Sequence, residues 1–417
     1  MHPALDYLFT LERFGMKLGL ETMTKLLHAL GNPQEKIESV HVTGTNGKGS
    51  TCAFLASILQ EAGYKVGLYT SPHLVRFTER IVVDGTEISE AAMIPLIEHI
   101  KEVAEREQLE PSHFEFTTAM AWLYFVQQKV DIAVIEVGLG GRLDATNVIA
   151  PEVTVITHID IDHIKHLGKK VDVIAKEKAG ILKRGVPLVT AERRKKILSY
   201  FQNECELKDN SMFQVGESLQ ANLIRNDLHG QEFETKGLFN SKWKMKMLGE
   251  YQIENACTAL VTAQVLQKKG YAIPLSAMQK GIEKAFWPGR LQVMQEDPLV
   301  IIDGSHNVEG MRELKKFVER LPQRKVLVLG ISKDKQIATM VSLIVPLFER
   351  IILTQGNFKP APLSRLAREV KKYTSQVEET EKVAEALEKA KSYVKKGGTL
   401  LVTGSLYVAG DALAAWR

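Results

Sequence analysis

The residues best suited to chemistry lie in the run Val40-His41-Val42-Thr43-Gly44-Thr45-Asn46-Gly47-Lys48-Gly49-Ser50-Thr51. Gly44, Gly47 and Gly49 let backbone N–H groups curl around an anion without Cβ clashes. Lys48 adds a full positive charge, and Ser50 or Thr51 offers a hydroxyl to a magnesium ion. Thr45 and Asn46 complete the turn. A β-branched run enters this stretch and an apolar-periodic run, Cys52 to Ala62, leaves it, which predicts strand, turn and helix. The helix then points its positive dipole end at the same place. Such a cradle suits a nucleoside triphosphate. The usual spacing G-x-x-x-x-G-K-[ST] is not met, because Val42 stands where its first glycine would be and Gly49 follows the lysine directly. On its own, a glycine-rich turn is often only a turn.

Other residues could join this chemistry. Val130 to Val137 reads as a strand buried on both faces of a parallel sheet, and Glu136 interrupts it near its end. A carboxylate there is costly unless paired, protonated or bound to a metal. The stretch His158-Ile159-Asp160-Ile161-Asp162-His163, with Lys165, His166 and Gly168 beyond it, follows a strand at Val153 to Thr157. It could hold a metal, or be a polar loop bonded to itself, and spacing alone does not decide. Ser71, presented by Pro72 at the end of a strand from Lys65 to Thr70, reads alone as a turn serine. Lys176-Glu177-Lys178-Ala179-Gly180 reads alone as a salt-bridged helix face. Asp303-Gly304-Ser305-His306-Asn307 sits at a later strand end, where open α/β sheets bind ligands.

The elements that must position these groups alternate between strand and helix. Residues 1 to 38 read as helices, one running from Leu20 to Leu30 and stopping at Gly31-Asn32-Pro33. Further helices are expected over Glu90 to Glu107, from Phe114 to Gln128, over Asp172 to Leu182 and over Asn255 to Lys268. Residues 205 to 250 change character, and alternation such as Trp243-Lys244-Met245-Lys246-Met247 predicts an antiparallel meander added to the first domain. Beyond residue 293, strands at Leu299 to Asp303, Lys325 to Leu329, Arg350 to Thr354 and Thr399 to Thr403 alternate with helices. The expected fold is α/β: a P-loop NTPase-like, mostly parallel sheet domain over 1–292, then a smaller Rossmann-like α/β domain over 293–417.

Composition narrows the classes. A chain of 417 residues exceeds one ordinary core. A 45% hydrophobic and 25% charged content is that of a globular protein. The net charge of +4 is too modest, and its lysines and arginines too scattered, to imply nucleic acid. Cys52, Cys205 and Cys257 are widely spaced and match no zinc pattern, so a reducing compartment is expected. The N-terminus carries Asp6, Glu12 and Arg13 among apolar residues and has no signal-peptide pattern. No apolar run approaches the roughly 20 residues of a membrane span. The expectation is a cytoplasmic protein without a membrane partner.

The ordered set of the phosphate loop, Ser71-Pro72-His73-Leu74, Glu136 to Asn147, Asp162-His163, Glu177-Lys178-Ala179-Gly180, Asn255-Ala256, Trp287-Pro288-Gly289-Arg290-Leu291 and Asp303 to Asn307 resembles folylpolyglutamate synthase, including the bifunctional dihydrofolate synthase form, in the Mur ligase superfamily. It covers most of 43–334; segment 190–245 and the part after Lys335 match no motif. The resemblance implies ATP-driven ligation of L-glutamate to a folate or dihydropteroate carboxylate through an acyl phosphate. It implies that Gly44 to Ser50 cradle ATP, with Lys48 on the β- and γ-phosphates. Ser71 and Glu136, with Ser50 at the loop, would hold one magnesium ion, and Glu136 and His163 a second. Lys178 would be carbamylated, turning an ammonium into an anionic metal ligand. Asn255, Arg290, Asp303 and His306 would engage ATP from the hinge and second domain. Two ions, small-molecule substrates and a monomer are implied.

Rival readings are another Mur-type ligase acting on a cell-wall nucleotide peptide, a P-loop switch or motor, and a nucleotide-binding module without turnover. The short chain and Asp303-Gly304-Ser305-His306-Asn307 speak against the first. The switch lacks an Asn-Lys-x-Asp guanine motif.

Overall fold

Apolar strands with no polar face must be covered on both sides, and the chain does this twice. A computed structural model describes residues 2–11, 19–163, 167, 168, 170–321 and 324–416. Glu12, Arg13, Lys165 and His166, singled out above, lie outside the described residues.

Among the described residues the largest sheet has eight strands in the order β4-β3-β2-β5-β1-β6-β7-β8. These are β1 (Glu38–Thr43), β2 (Val66–Tyr69), β3 (Ile81–Val83), β4 (Thr86–Glu87), β5 (Ile132–Glu136), β6 (Val153–Ile156), β7 (Leu188–Thr190) and β8 (Met212–Gln214). All pairs are parallel except those of β3 with β2 and β4. Side chains alternate along β5: Ile132 and Val134 pack with the helix Lys48–Glu61 and helices Tyr251–Lys268 and Leu275–Lys284. Ala133 and Ile135 face the N-terminal helices and those at Glu90–Arg106 and His113–Gln127. By this period of two, Glu136 points to the side of the phosphate-loop helix. The register sets Val42 beside Glu136 and Thr43 beside Ile156. The loops leaving β1, β5 and β6 therefore emerge side by side.

The helix Lys48–Glu61 is apolar all round because it is wrapped on several sides. Its closest neighbour meets it at Gly281, where an added Cβ would stand 2.5 Å from the Ile58 Cα and 2.6 Å from its nitrogen.

The meander is narrower than expected. Residues 212–214 form β8 of the large sheet, and the antiparallel sheet is β9 (Leu219–Asp227), β10 (Gly230–Gly237) and β11 (Ser241–Met245). Phe233 and Trp243 stack on its inner face and close the first core.

The third sheet runs β12-β13-β17-β14-β15-β16, with β12 (Gln292–Glu296), β13 (Leu299–Ile302), β14 (Lys325–Leu329), β15 (Arg350–Gln355), β16 (Val377–Lys382) and β17 (Thr399–Thr403). Leu299 and Ile301 serve one core, Val300 and Ile302 the other, so helices cover both faces. The edge strands β12 and β16 escaped the sequence reading because they are polar: Gln292, Gln295 and Glu296 in one, Glu378, Glu379 and Glu381 in the other. Charge is common on sheet edges.

Gly281→Ala tests the tight helix contact. Alanine favours the helix intrinsically, yet its methyl meets backbone that cannot rotate away. Stability should fall by about 1–3 kcal/mol, measured as a lower urea midpoint; an unchanged or raised midpoint refutes the account.

Candidate active site

The phosphate loop leaves β1 through Gly44, whose φ of +153° suits glycine. A Cβ there would stand 1.7 Å from Thr157 Oγ1. The Thr157 hydroxyl occupies that space and donates to the Asn46 carbonyl at 2.8 Å. Thr45 N donates to His158 O at 2.8 Å, and the Thr45 hydroxyl exchanges bonds of 2.9 Å with the Asp160 backbone. Gly47, at φ +88°, begins the helix and would clash through a Cβ with Asn255 Oδ1 at 2.3 Å. Asn255 is braced by Gln252 at 2.8 Å. Gly49 lies under the Trp287 indole, leaving 2.8 Å to Nε1 for any Cβ. Ser50 is buried in the first turn.

Two lysine amines meet one carbonyl in this loop. Lys48 Nζ donates to Gly44 O at 3.1 Å and to Thr45 O at 3.2 Å. Lys178 Nζ donates to the same Gly44 O at 2.7 Å. Lys178 is therefore not on a solvated face; it is 3% exposed, and Glu177 next to it pairs outward with Arg142 at 3.0 Å. Burial first, and Lys48 second, hold the Lys178 pKa well below the usual ammonium range.

Glu136 is buried at the end of β5, and its Oε2 accepts Ser71 N at 2.9 Å. Burial raises its pKa, while Lys48, the Ser71 N–H and Arg290 pull the other way. A carboxylate oxygen at a strand end is a ligand type that a divalent ion takes. Among the described residues no three His, Cys, Asp or Glu side chains converge on one metal position. Magnesium would thus complete its shell from hydroxyls, water and phosphate oxygens, its ordinary habit. Ser50, Ser71 and Glu136 fit that pattern.

The loop after β5 is rigid. Asp144 accepts from Leu139 N at 2.8 Å, Thr146 N at 3.0 Å and the Thr146 hydroxyl at 2.5 Å. The hydroxyl faces His41 Nε2 at 2.8 Å, and burial lowers the His41 pKa to about 3.

The third sheet supplies the opposite wall. Asp303 accepts Leu291 N at 3.0 Å through Oδ2 and Ser305 N at 2.9 Å through Oδ1. Its carboxylate thereby shapes the corner that carries Arg290, whose guanidinium lies against Gly304. His306 Nε2 stands 3.5 Å from Asp162 Oδ2. Asn307 Nδ2 donates to that oxygen at 3.2 Å and to Asn46 Oδ1 at 2.9 Å. Lys335 pairs with Asp162 Oδ1. Burial works to raise the Asp162 pKa, but His306, Lys335 and His163 overcome it and hold the carboxyl well below the usual range. His163 itself is an exposed residue at φ +50° whose N–H donates to Asp162 Oδ1 at 2.7 Å. Loss of hydration around its ring and nearby Lys335, His306 and Lys48 outweigh Asp162 and lower its pKa to about 4. Its imidazole is neutral at pH 7, the form that ligates metals.

The fold thus gathers Gly44 to Ser50, Ser71, Glu136, Lys178, Asn255 and Arg290 around one loop. His163 and His306 gather around Asp162. Lys335 and Asn307 had no role assigned from sequence. Lys335 stands in no recognised motif, while Asn307, as a helix cap after a strand, carried a readable signal.

The comparisons with known proteins agree. The Mur ligase middle domain matches residues 42–263, and the Mur ligase glutamate ligase domain matches 289–406. The chain is 37% identical to a dihydrofolate synthase/folylpolyglutamate synthase of Bacillus subtilis, over 96% of this chain and 95% of that protein. It is similar to the folylpolyglutamate synthase of Thermotoga maritima, with TM-score 0.87, 34% identity and coverage of 99% and 96%. It is also similar to the Mycobacterium tuberculosis folylpolyglutamate synthase complexed with ADP and AMPPCP, with TM-score 0.90, 29% identity and 99% of each chain covered.

Lys335→Ala would leave Asp162 short of its main cation across the two walls. The contact should weaken by about 3–5 kcal/mol, seen as a larger radius of gyration by X-ray scattering and faster proteolysis in the 285–292 connection. An unchanged radius and cleavage rate would show the pair idle.

Proposed function

The chain belongs to the dihydrofolate synthase/folylpolyglutamate synthase family of Mur ligases, and from that premise we propose an ATP-dependent ligase that adds L-glutamate to the carboxylate of folates. The observation that carries the reading is the Gly44 carbonyl shared by Lys48 and buried Lys178, beside Glu136. That concentration of charge suits a polyphosphate with metal. The paired activities in the name of the Bacillus subtilis relative favour dihydropteroate as a second acceptor.

The acceptor carboxylate oxygen attacks the γ-phosphorus, and ADP departs. The glutamate amine then attacks the acyl phosphate carbonyl, and phosphate departs with amide formation. Activation is needed because a carboxylate is a poor electrophile. Lys48 and the loop N–H groups neutralise charge on the β- and γ-phosphates, so most of the catalysis is positioning and electrostatics. Asn255, Arg290, Asp303 and His306 shape the nucleotide side of the cleft. Ser50, Ser71 and Glu136 would hold one magnesium ion, and Glu136, His163 and Lys178 a second. When bound, the ions balance phosphate charge during transfer. Lys178 would serve as a carbamate: burial holds its pKa down, the uncharged amine is the form that captures CO2 with release of a proton, and the anionic product would remove the repulsion with Lys48. The Asp162 contacts bring the walls together and keep water from the acyl phosphate.

Residues 1–292 form the ATP-binding unit and 293–417 the glutamate-ligase unit. The enzyme works as a monomer on small molecules, in the cytoplasm, without nucleic acid or membrane. The scattered charge fits the absence of a nucleic-acid role, and the three buried free cysteines fit a reducing compartment.

Incubation with Mg-ATP, labelled glutamate and either tetrahydrofolate or dihydropteroate should extend the acceptor by whole glutamyl units, detected by mass. No extension of either acceptor refutes the function. Lys48→Ala should lower turnover by about 100-fold or more with the fold intact by circular dichroism; wild-type turnover at saturating ATP would remove Lys48 from the phosphates. Protein equilibrated with ¹³C-bicarbonate should give a carbamate carbon resonance that Lys178→Ala lacks. A resonance that persists in Lys178→Ala places the carbamate elsewhere, and none in wild type rejects it.

A further inference from the structure

The phosphate loop has the His158 to His163 segment on one side and Asn255 on the other. Residues 190–194 lie behind both. Ala191 N donates to Ile156 O at 3.1 Å, which carries the chain alongside the end of β6. Glu192 is fully buried, and Arg194 grips its carboxylate as a fork, Nε to Oε1 at 2.8 Å and Nη2 to Oε2 at 2.6 Å. The backbone N–H groups of Arg193 and Arg194 add bonds of 2.9 and 2.8 Å to Oε1. The same Arg194 guanidinium donates through Nη2 to the Ile159 carbonyl. Arg193 turns the other way and meets Glu254 Oε1 at 2.8 Å through Nε and 2.7 Å through Nη2. Glu254 immediately precedes Asn255.

Stability alone gives little reason for this arrangement. Apolar residues of similar volume can replace a buried ion pair without loss. They cannot hold a carbonyl oxygen in place. Ile159 lies between His158 and Asp160, the two residues whose backbones bond Thr45 of the phosphate loop. A shift of its carbonyl is therefore passed directly to the loop.

We propose that Glu192, Arg193 and Arg194 form a positioning bracket for the nucleotide: Arg194, aligned by Glu192, fixes the His163 loop through Ile159, and Arg193 fixes Asn255 through Glu254. This rests on the reading of Gly44 to Ser50 as the ATP site. Arg194 is the stronger arm, because the Arg193 side chain is 73% exposed and surface pairs contribute little. Arginine suits 194 better than lysine, since one ammonium cannot fork a carboxylate and also reach a carbonyl.

The test compares wild type with Arg194→Gln, Arg194→Lys, Glu192→Gln/Arg194→Gln and Arg193→Gln. It measures ADP affinity by calorimetry, KM for Mg-ATP, folate and glutamate, and Tm. Arg194→Gln should weaken ADP binding and raise KM for Mg-ATP by about 10- to 100-fold, with KM for folate and glutamate near wild type. The double variant should show the same nucleotide loss with a recovered Tm, because no buried charge is left unpaired. Arg194→Lys should recover part of the affinity, and Arg193→Gln should have the smallest effect. A double variant that binds ADP like wild type overturns the bracket. So does a loss that follows Tm and falls equally on all three substrates. Wild-type protein that binds ADP without glutamylating a folate would instead overturn the functional reading, leaving the bracket to be judged on ADP affinity.

Discussion

Gly44 O accepts from two amines, and the site is built around what that does to charge. Lys48 needs its proton to serve a phosphate. Lys178, on the same oxygen at 2.7 Å and out of water, cannot easily keep one. Burial, and then the neighbouring Lys48, depress the Lys178 amine. Glu136 carries the opposite problem, an anion without water at a strand end. On the proposed reading, polyphosphate and a divalent metal arriving together would relieve both. Local charge imbalance is thus a property of the free protein that its ligands complete.

The backbone constraint behind this is the parallel register of β1, β5 and β6. Val42 beside Glu136 and Thr43 beside Ile156 force three loops out at one edge. Close approach then tightens them: Thr157 against Gly44, Asn255 against Gly47, Trp287 against Gly49. None leaves room for a Cβ. The glycines serve the loop's contacts with its neighbours as much as its own curvature, which is why their spacing departs from the usual phosphate-loop pattern while the function of the turn does not.

Much of this was legible in the chain. Apolar runs located the central strands, and glycines with a lysine located the cradle. Glu136 drew notice because an apolar strand cannot carry a carboxylate idly. The charge pattern Lys176-Glu177-Lys178 alone puts Lys178 on a solvated face, and only the family resemblance assigns it to the site; the helix buries it with Ile174 and Ala175, while Glu177 pairs with Arg142 at the surface. The helical period does report this, since Lys178 follows Ile174 by four residues and Ala175 by three. The edge strands β12 and β16 were hidden because half-exposed strands resemble polar loops. Lys335 was invisible for a different reason. Its meaning comes from Asp162, 173 residues away, and a lone lysine in a loop carries no signal of a distant partner.

Asp162 shows how the two walls act as one site. It receives Lys335, His306 and Asn307 from the third sheet, while His163 beside it belongs to the first. Asn307 also reaches Asn46 within the phosphate loop, so one helix cap touches both the loop and the carboxylate. Separation of the sheets would break all these bonds together. It would also expose a carboxylate that its partners hold ionised. The cost of opening therefore falls on the groups that face the nucleotide. Closure and assembly of the site become one event, the arrangement a ligase needs if its activated acyl group is to meet an amine before it meets water.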